Sequence, residues 1–389
     1  GVVFGDVHSH PATQLIVGDT GSVMLETVVK GTGVNGANDT GLWLIAPDDT
    51  VTLITREGSQ FSNFLSWAFV DSVANGPFMA LYATDQASGS DGIWRWSPLS
   101  GFELVALEGN SATSAFPNCS YGQIARPVIN RLGQIAFDTS LAADVPLVTC
   151  PTTVFKWSGS GEPQAVVSSG DVVPNFPVGS EFGGFSIGAN NVDPKINDAG
   201  DVAFLNRVSV PGTQQFFARP SLWVAKSNGD LAHAMVQNQL LPGSTTEFLT
   251  SPGINRFALS SRGIITLQAT TDTFGKDVIL SGTPTTNYNF TTLDDFGTNG
   301  LEVIAREGEP EPSTLIFFDS LNQSLINSSG KLAFTMYAGA GVSSAHWTGP
   351  NANNLELIAR TGDPMDFGGT LRTLLNLSNA SLVDAGETG

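Results

Sequence analysis

Ile129-Asn130-Arg131-Leu132-Gly133-Gln134-Ile135-Ala136-Phe137 returns as Ile196-Asn197-Asp198-Ala199-Gly200-Asp201-Val202-Ala203-Phe204 and again as Ile326-Asn327-Ser328-Ser329-Gly330-Lys331-Leu332-Ala333-Phe334. Looser copies occupy Val17 to Leu25, Val73 to Leu81 and Leu259 to Leu267, and a seventh begins around Leu382. The glycine of each copy marks a series, Gly21, Gly76, Gly133, Gly200, Gly263, Gly330 and Gly386, with spacings of 55, 57, 67, 63, 67 and 56. Seven markers enclose six periods, so the chain is a tandem repeat before it is anything else.

Asn-x-x-Gly reads as a hairpin turn. The Asn side chain caps the turn, the glycine takes the positive φ that it requires, and apolar residues flank it as strands. A tryptophan strand follows in most periods, at Trp43, Trp94, Trp157, Trp223 and Trp347. An alternating strand comes next, such as Val51 to Thr55 before Arg56-Glu57-Gly58 or Leu301 to Ala305 before Arg306-Glu307-Gly308. Each period is therefore expected to be four antiparallel strands, ending at a Gly-containing stop and followed by a longer crossing such as Pro174 to Phe185. One such sheet cannot bury both faces, and radial stacking solves that problem while protecting the edges. The expected fold is all-β: one β-propeller domain over 1–389, of six or seven blades. Its repeats fall near 1–58, 59–109, 110–171, 172–240, 241–308 and 309–363, with 364–389 starting a seventh. A stacked solenoid is the weaker alternative, because its coils are shorter.

The ends fall at odd places in the period. Gly1 to Asp6 matches the crossing Gly179 to Gly183, and Leu375 to Asp384 supplies a first strand for the seventh repeat. The missing strands are expected from further chain or from a neighbouring subunit, because a lone strand leaves backbone groups unpaired.

Composition agrees with many short strands: 43 glycines, 21 prolines and only 14% charged residues in a chain that is 41% hydrophobic. A net charge of −19 repels nucleic-acid phosphates and anionic lipid head groups. No apolar run approaches the ~20 residues that span a membrane, and Gly1 opens no signal peptide with a basic leader. The two cysteines, Cys119 and Cys150, flank a predicted hairpin in one repeat, and their pairing implies an oxidising compartment.

The repeated element resembles the bacterial tandem-repeat family named for its own Asn-x-x-Gly-x-x-Ala-Phe motif. The motif is complete at Asn130 and Gly133, Asn197 and Gly200, and Asn327 and Gly330; in the first, second and fifth copies Gly18, Val73 and Ser260 stand in place of the Asn. The resemblance implies a secreted or cell-surface protein with varied C-terminal anchors and no established enzymatic activity. Pro310-Glu311-Pro312-Ser313-Thr314 mimics a C-terminal sorting signal but lies mid-chain, and reads as an inter-blade loop.

Asp6-Val7-His8-Ser9-His10 has the alternating spacing by which two imidazoles share a metal. Only His233 and His346 remain to complete a ligand set, and both fall on predicted strands of distant repeats. No nucleophile elbow or EF-hand loop is present. No cofactor is expected, and calcium would have to sit in an inter-blade loop. Equal repetition favours packing over ligand binding, so Phe137, Phe204 and Phe334 form one expected core set and the five tryptophans another. Trp67 and Trp96 fall outside that register and are the better surface candidates. Arg56, Arg306 and Arg360, at one position of the fourth strand, are expected to bridge blades or cap carbonyls. The reading is an extracellular structural or interaction module of a surface layer, sheath or filament, with protein partners that include further copies of itself. The alternative is a polysaccharide hydrolase or lyase using channel carboxylates.

Overall fold

The computed structural model describes residues 3–4, 15–72, 74–183, 194–211, 219–273, 275–286, 300–310, 317–337, 344–366 and 371–373. Among them the chain is all-β, apart from one 3-10 turn at Ala352–Asn354, and it builds six four-stranded antiparallel sheets. Their second, third and fourth strands are Val23–Lys30, Thr40–Ile45 and Val51–Arg56 in the first sheet and Phe78–Asp85, Asp91–Ser97 and Gly101–Leu107 in the second. The third has Ile135–Ala143, Thr152–Trp157 and Gln164–Ser168; the fourth has Val202–Ser209, Arg219–Ala225 and Leu231–Val236. The fifth has Ile265–Thr271, Asp277–Gly282 and Leu301–Arg306; the sixth has Leu332–Tyr337, Ser344–Gly349 and Glu356–Arg360. Each sheet runs up and down in sequence order, the strand arrangement of a propeller blade.

First strands are less regular. Phe61–Val70, Leu249–Leu259 and Ser320–Ile326 are continuous. In the third sheet the strand is split into Cys119–Ile124 and Val128–Ile129, and in the first into Val3–Phe4 and Leu15–Val17. The match between the amino terminus and Gly179 to Gly183 is thus a match between strands, since Val3–Phe4 and Glu181–Phe182 both open a first strand. The expectation that both segments are bare crossings is corrected: their few residues pair with the far end of the second strand, beyond the reach of the Asn-x-x-Gly hairpin. Crossings are themselves short hairpins, with backbone bridges at Ser111 and Ser120, Val172 and Glu181, Leu240 and Phe248, and Pro310 and Phe317. Pro364–Asp366 and Leu371–Thr373 form the same hairpin after the sixth sheet. Residues 375 to 384, assigned to a seventh repeat, lie outside the described residues.

Two compact units divide the chain: 1–168 with 186–198, and 169–185 with 199–389. In the first unit, sheets one and two stack through Met24, Leu42, Phe61, Trp67 and Trp94, and sheets two and three through Ile93, Ile129 and Phe137. In the second, sheets five and six stack through Ile279, Ile304, Leu321, Phe334 and Trp347.

Phe137, Phe204 and Phe334 are buried and hold one register position, paired across the strands with Phe155, Trp223 and Trp347. Leu25, Leu81 and Leu267 occupy that position elsewhere, opposite Trp43, Trp94 and Leu280. Trp157 therefore does not belong to the tryptophan set. Phe155 takes the shared place, and Trp157 pairs with Ile135 just as Trp96 pairs with Met79. Trp94, Trp223 and Trp347 are buried, whereas Trp43 is only half-buried. Every sheet also has a bulge between its third and fourth strands, at Leu42/Trp43, Ile93/Trp94, Val154/Phe155, Leu222/Trp223, Ile279/Leu280 and His346/Trp347. The extra residue increases local twist, and it recurs at one register position of all six sheets, filled by Leu280 in the fifth and by an aromatic residue in the other five.

Candidate functional site

The Asn-x-x-Gly turns are the most polar repeated feature. Asn130 N–H donates to the Gln134 carbonyl at 3.0 Å, Gly133 N–H to the Asn130 carbonyl at 2.9 Å, and Gly133 sits at φ 72°. Asn327 and Gly330 repeat that geometry at 3.0 and 3.1 Å. So do Gly18 with Gly21 and Ser260 with Gly263, copies that lack the asparagine. Ser260 Oγ accepts from Ile264 N at 3.0 Å, doing the work of Asn130 Oδ1, which accepts from Gln134 N at 2.9 Å. Gly18 is required for a different reason: a Cβ there would lie 2.5 Å from the Cβ of Asp71.

In the first unit these turns bind one another. Asn130 Nδ2 donates to the Asn197 carbonyl at 2.7 Å, Asn75 Nδ2 to the Arg131 carbonyl at 3.1 Å, and the Arg131 amide to Asp198 Oδ1 at 3.0 Å. The Arg131 guanidinium meets Asp19 at 2.5 Å and Asp198 at 3.8 Å. Thr20 donates to Asp71. Turns of the first, second and third sheets are thereby knitted together with the Asn197-Asp198 segment, and their polar groups are engaged in holding the scaffold.

Two of the three arginines at the end of the fourth strand hold loops of their own sheet or of the crossing that leads into it. Arg56 donates from Nε to the Asn38 carbonyl and from Nη2 to Asn38 Oδ1 at 2.9 Å, whereas Arg306 pairs with Glu247. The acid after the arginine position is a clip: Glu57 Oε1 accepts from Phe64 N at 3.4 Å, and Glu108 Oε1 from Ile124 N at 2.9 Å. Burial raises the Glu108 carboxyl above its usual range, with the Ile124 amide opposing and Asp91 reinforcing the shift.

His8 and His10 lie outside the described residues. His233 and His346 are buried in separate sheets, the latter with Nδ1 3.0 Å from Thr335 Oγ1. Among the described residues no group of three His, Cys, Asp or Glu is placed to hold a metal. His233 faces the Trp223 and Phe176 rings at 5.0 and 6.3 Å, and burial pulls its pKa down to about 3. The native state thus holds the neutral imidazole, while the unfolded chain titrates near 6.5. Stability from this group is full above pH 6.5 and is lost as the pH falls toward 3. Thermal midpoints measured over that range should fall less for His233→Leu than for the parent chain.

Trp67 and Trp96, the expected surface candidates, are buried; Trp67 Nε1 donates to Glu26 Oε2 at 2.6 Å, and both rings belong to the core between sheets one and two. A neighbouring sheet covers them, which is a non-local effect.

Exposed apolar chemistry is found instead on the loop after Ala143. Cys119 and Cys150 form a disulfide with Cα atoms 6.1 Å apart, and Asp144 N–H donates to the Asn118 carbonyl at 2.9 Å. This braced loop presents Val145, Pro146 and Leu147 to solvent; Leu147 is fully exposed and held at φ 71°. A leucine in the left-handed region is sterically costly and keeps that position only when its surroundings impose it. Converting both cysteines to serine should lower unfolding stability by about 2–4 kcal/mol, read from denaturant midpoints.

The sequence matches a family described as a family of unknown function, DUF7453, over residues 60–283 and again over 158–388. The chain belongs to that family. The two overlapping matches, each shorter than the chain, are what a tandem repeat produces when one family pattern fits in two registers. No curated protein matches the DUF7453 chain. Among solved structures it is similar to a puromycin hydrolase, with a TM-score of 0.45 and 12% identity, over 91% of this chain and 48% of that one. The chain thus spans about half the length of that protein. An oligogalacturonate lyase in complex with manganese gives a TM-score of 0.45 at 10% identity, over 92% of this chain and 87% of the lyase. A polysaccharide lyase, Uly1, gives 0.42 at 12%, over 89% and 76%.

Proposed function

We propose that this protein is an extracellular structural or interaction module of a bacterial surface, working through protein contacts that include self-association. The observation that carries the reading is the disulfide-braced loop, whose apolar tip at Val145 and Leu147 is held out in solvent in a strained conformation. Solvating such a tip is unfavourable, and a partner that covers it recovers the apolar burial. The disulfide favours an oxidising compartment. The resemblance to the secreted Asn-x-x-Gly-x-x-Ala-Phe repeat family supports the same setting, and the interlocked turns supply a stiff frame from which to present the tip.

Sedimentation and light scattering across a concentration series, with and without calcium, test this reading together with capture of surface proteins from the native cell. Leu147→Asp should abolish the association shown by the parent chain. A parent chain that stays monomeric throughout and captures no surface protein overturns the proposal. Release of shortened oligosaccharides from a polysaccharide panel also overturns it, in favour of the hydrolase or lyase.

A further inference from the structure

Where the fifth and sixth sheets meet, within the second unit, lies a cavity of about 430 Å³. Pro242 and Ser244 of one crossing, Arg306 and Glu309 at the end of the fourth strand, and Ala352 and Leu355 of the sixth sheet line it. The volume falls in the range of about 300–1,000 Å³ typical of small-molecule sites. The sixth sheet contributes its wall through the 3-10 turn Ala352–Asn354.

Arg306 gives the cavity its chemistry. One guanidinium nitrogen pairs with Glu247, which is only 5% exposed, and another lies 3.8 Å from Glu309 Oε1. Arg306 Nε and Glu247 Oε1 are nevertheless enclosed with no hydrogen-bond partner among the described residues. The equivalent residue of the first sheet makes the contrast, because Arg56 gives its Nε–H to the Asn38 carbonyl. Arg306 Nε and Glu247 Oε1 face no solvent; what the cavity meets is the partly exposed remainder of the Arg306 guanidinium and the exposed Glu309 carboxylate, a donor and an acceptor for ligand hydroxyls. One guanidinium between two carboxylates leaves the site one negative charge in excess, which disfavours an anion. Apolar Pro242 and Leu355 suit the C–H faces of a sugar ring.

We infer that this cavity binds a neutral polyhydroxylated ligand, a saccharide unit, through Arg306 and Glu309. The site is separate from the braced loop and does not depend on what that loop contacts. Calorimetry and saturation-transfer NMR with glucose, galactose, maltose and cellobiose, and with galacturonate as the anionic counterpart, test it. At least one neutral sugar should bind and outcompete galacturonate. Ala352→Trp, which fills the cavity from its half-exposed wall, and Glu309→Gln, at an exposed side chain, should each weaken binding at least about tenfold, a loss of about 1.4 kcal/mol. Circular dichroism and thermal midpoints of both variants should match the parent. No binding by any neutral sugar, preference for galacturonate, or affinity unchanged in both variants would overturn the inference. The assembly experiments on Leu147→Asp read a different property, so the two proposals fail separately.

Discussion

Phe204→Ala is expected to cost about 3–5 kcal/mol of unfolding free energy, measured by denaturant titration. The side chain is fully enclosed in the fourth sheet, with its ring centroid 6.3 Å from Phe182, and it sits directly opposite Trp223 across the strands. Phe182 in turn meets Trp223 at 5.2 Å, edge to face. Truncation therefore opens a cavity beneath an aromatic cluster whose other members are fixed by their own strands, so the site has little freedom to collapse. Because native domains are stable by only about 5–15 kcal/mol, the loss is a large part of the total. The sixth sheet repeats the cluster with Phe318, Phe334 and Trp347, and Phe334→Ala should behave alike. A loss below about 1 kcal/mol at both positions would show that the repeated phenylalanine does not organise the sheets.

The turn and the strand order were legible in the sequence because their causes are local. Asn130 Oδ1 reaches an amide four residues away, and Gly133 must take a positive φ, so residue identity and geometry coincide within one motif. The aromatic register was not legible. Phe155 and Trp157 lie two apart and share a sheet face, so period-2 reading admits either as the partner of Phe137. Pairing decides for Phe155, through the length of the loop from Ala143 to Thr152. A third repeated core position, Phe61, Tyr121, Phe182 and Phe318, was hidden for a related reason. In each, the backbone carbonyl accepts from a glycine that ends the preceding sheet: Gly58, Gly109, Gly170 and Gly308. The aromatic follows its glycine by anything from three to twelve positions, so no fixed spacing announces it. The Arg306 and Glu247 pair, 59 residues apart, is equally silent in the sequence.

That pair yields the sharpest test of how the fifth sheet is held. Arg306→Ala removes the counter-charge from Glu247, whose carboxylate is buried and whose second oxygen has no partner among the described residues. Breaking a buried ion pair from one side typically costs about 3–5 kcal/mol, because the remaining charge stays out of water without compensation. The contact with exposed Glu309 adds little, since water screens it. Replacing both members together is a different matter: Arg306→Met with Glu247→Leu removes both charges and keeps apolar volume, and should return stability to within about 1 kcal/mol of the parent. Three denaturation curves decide the question. If the single variant is as stable as the parent, the ion pair is not what anchors the crossing from Leu241 to Glu247. If the double variant is as unstable as the single one, the cost lies in lost packing of the arginine stem, not in the stranded carboxylate.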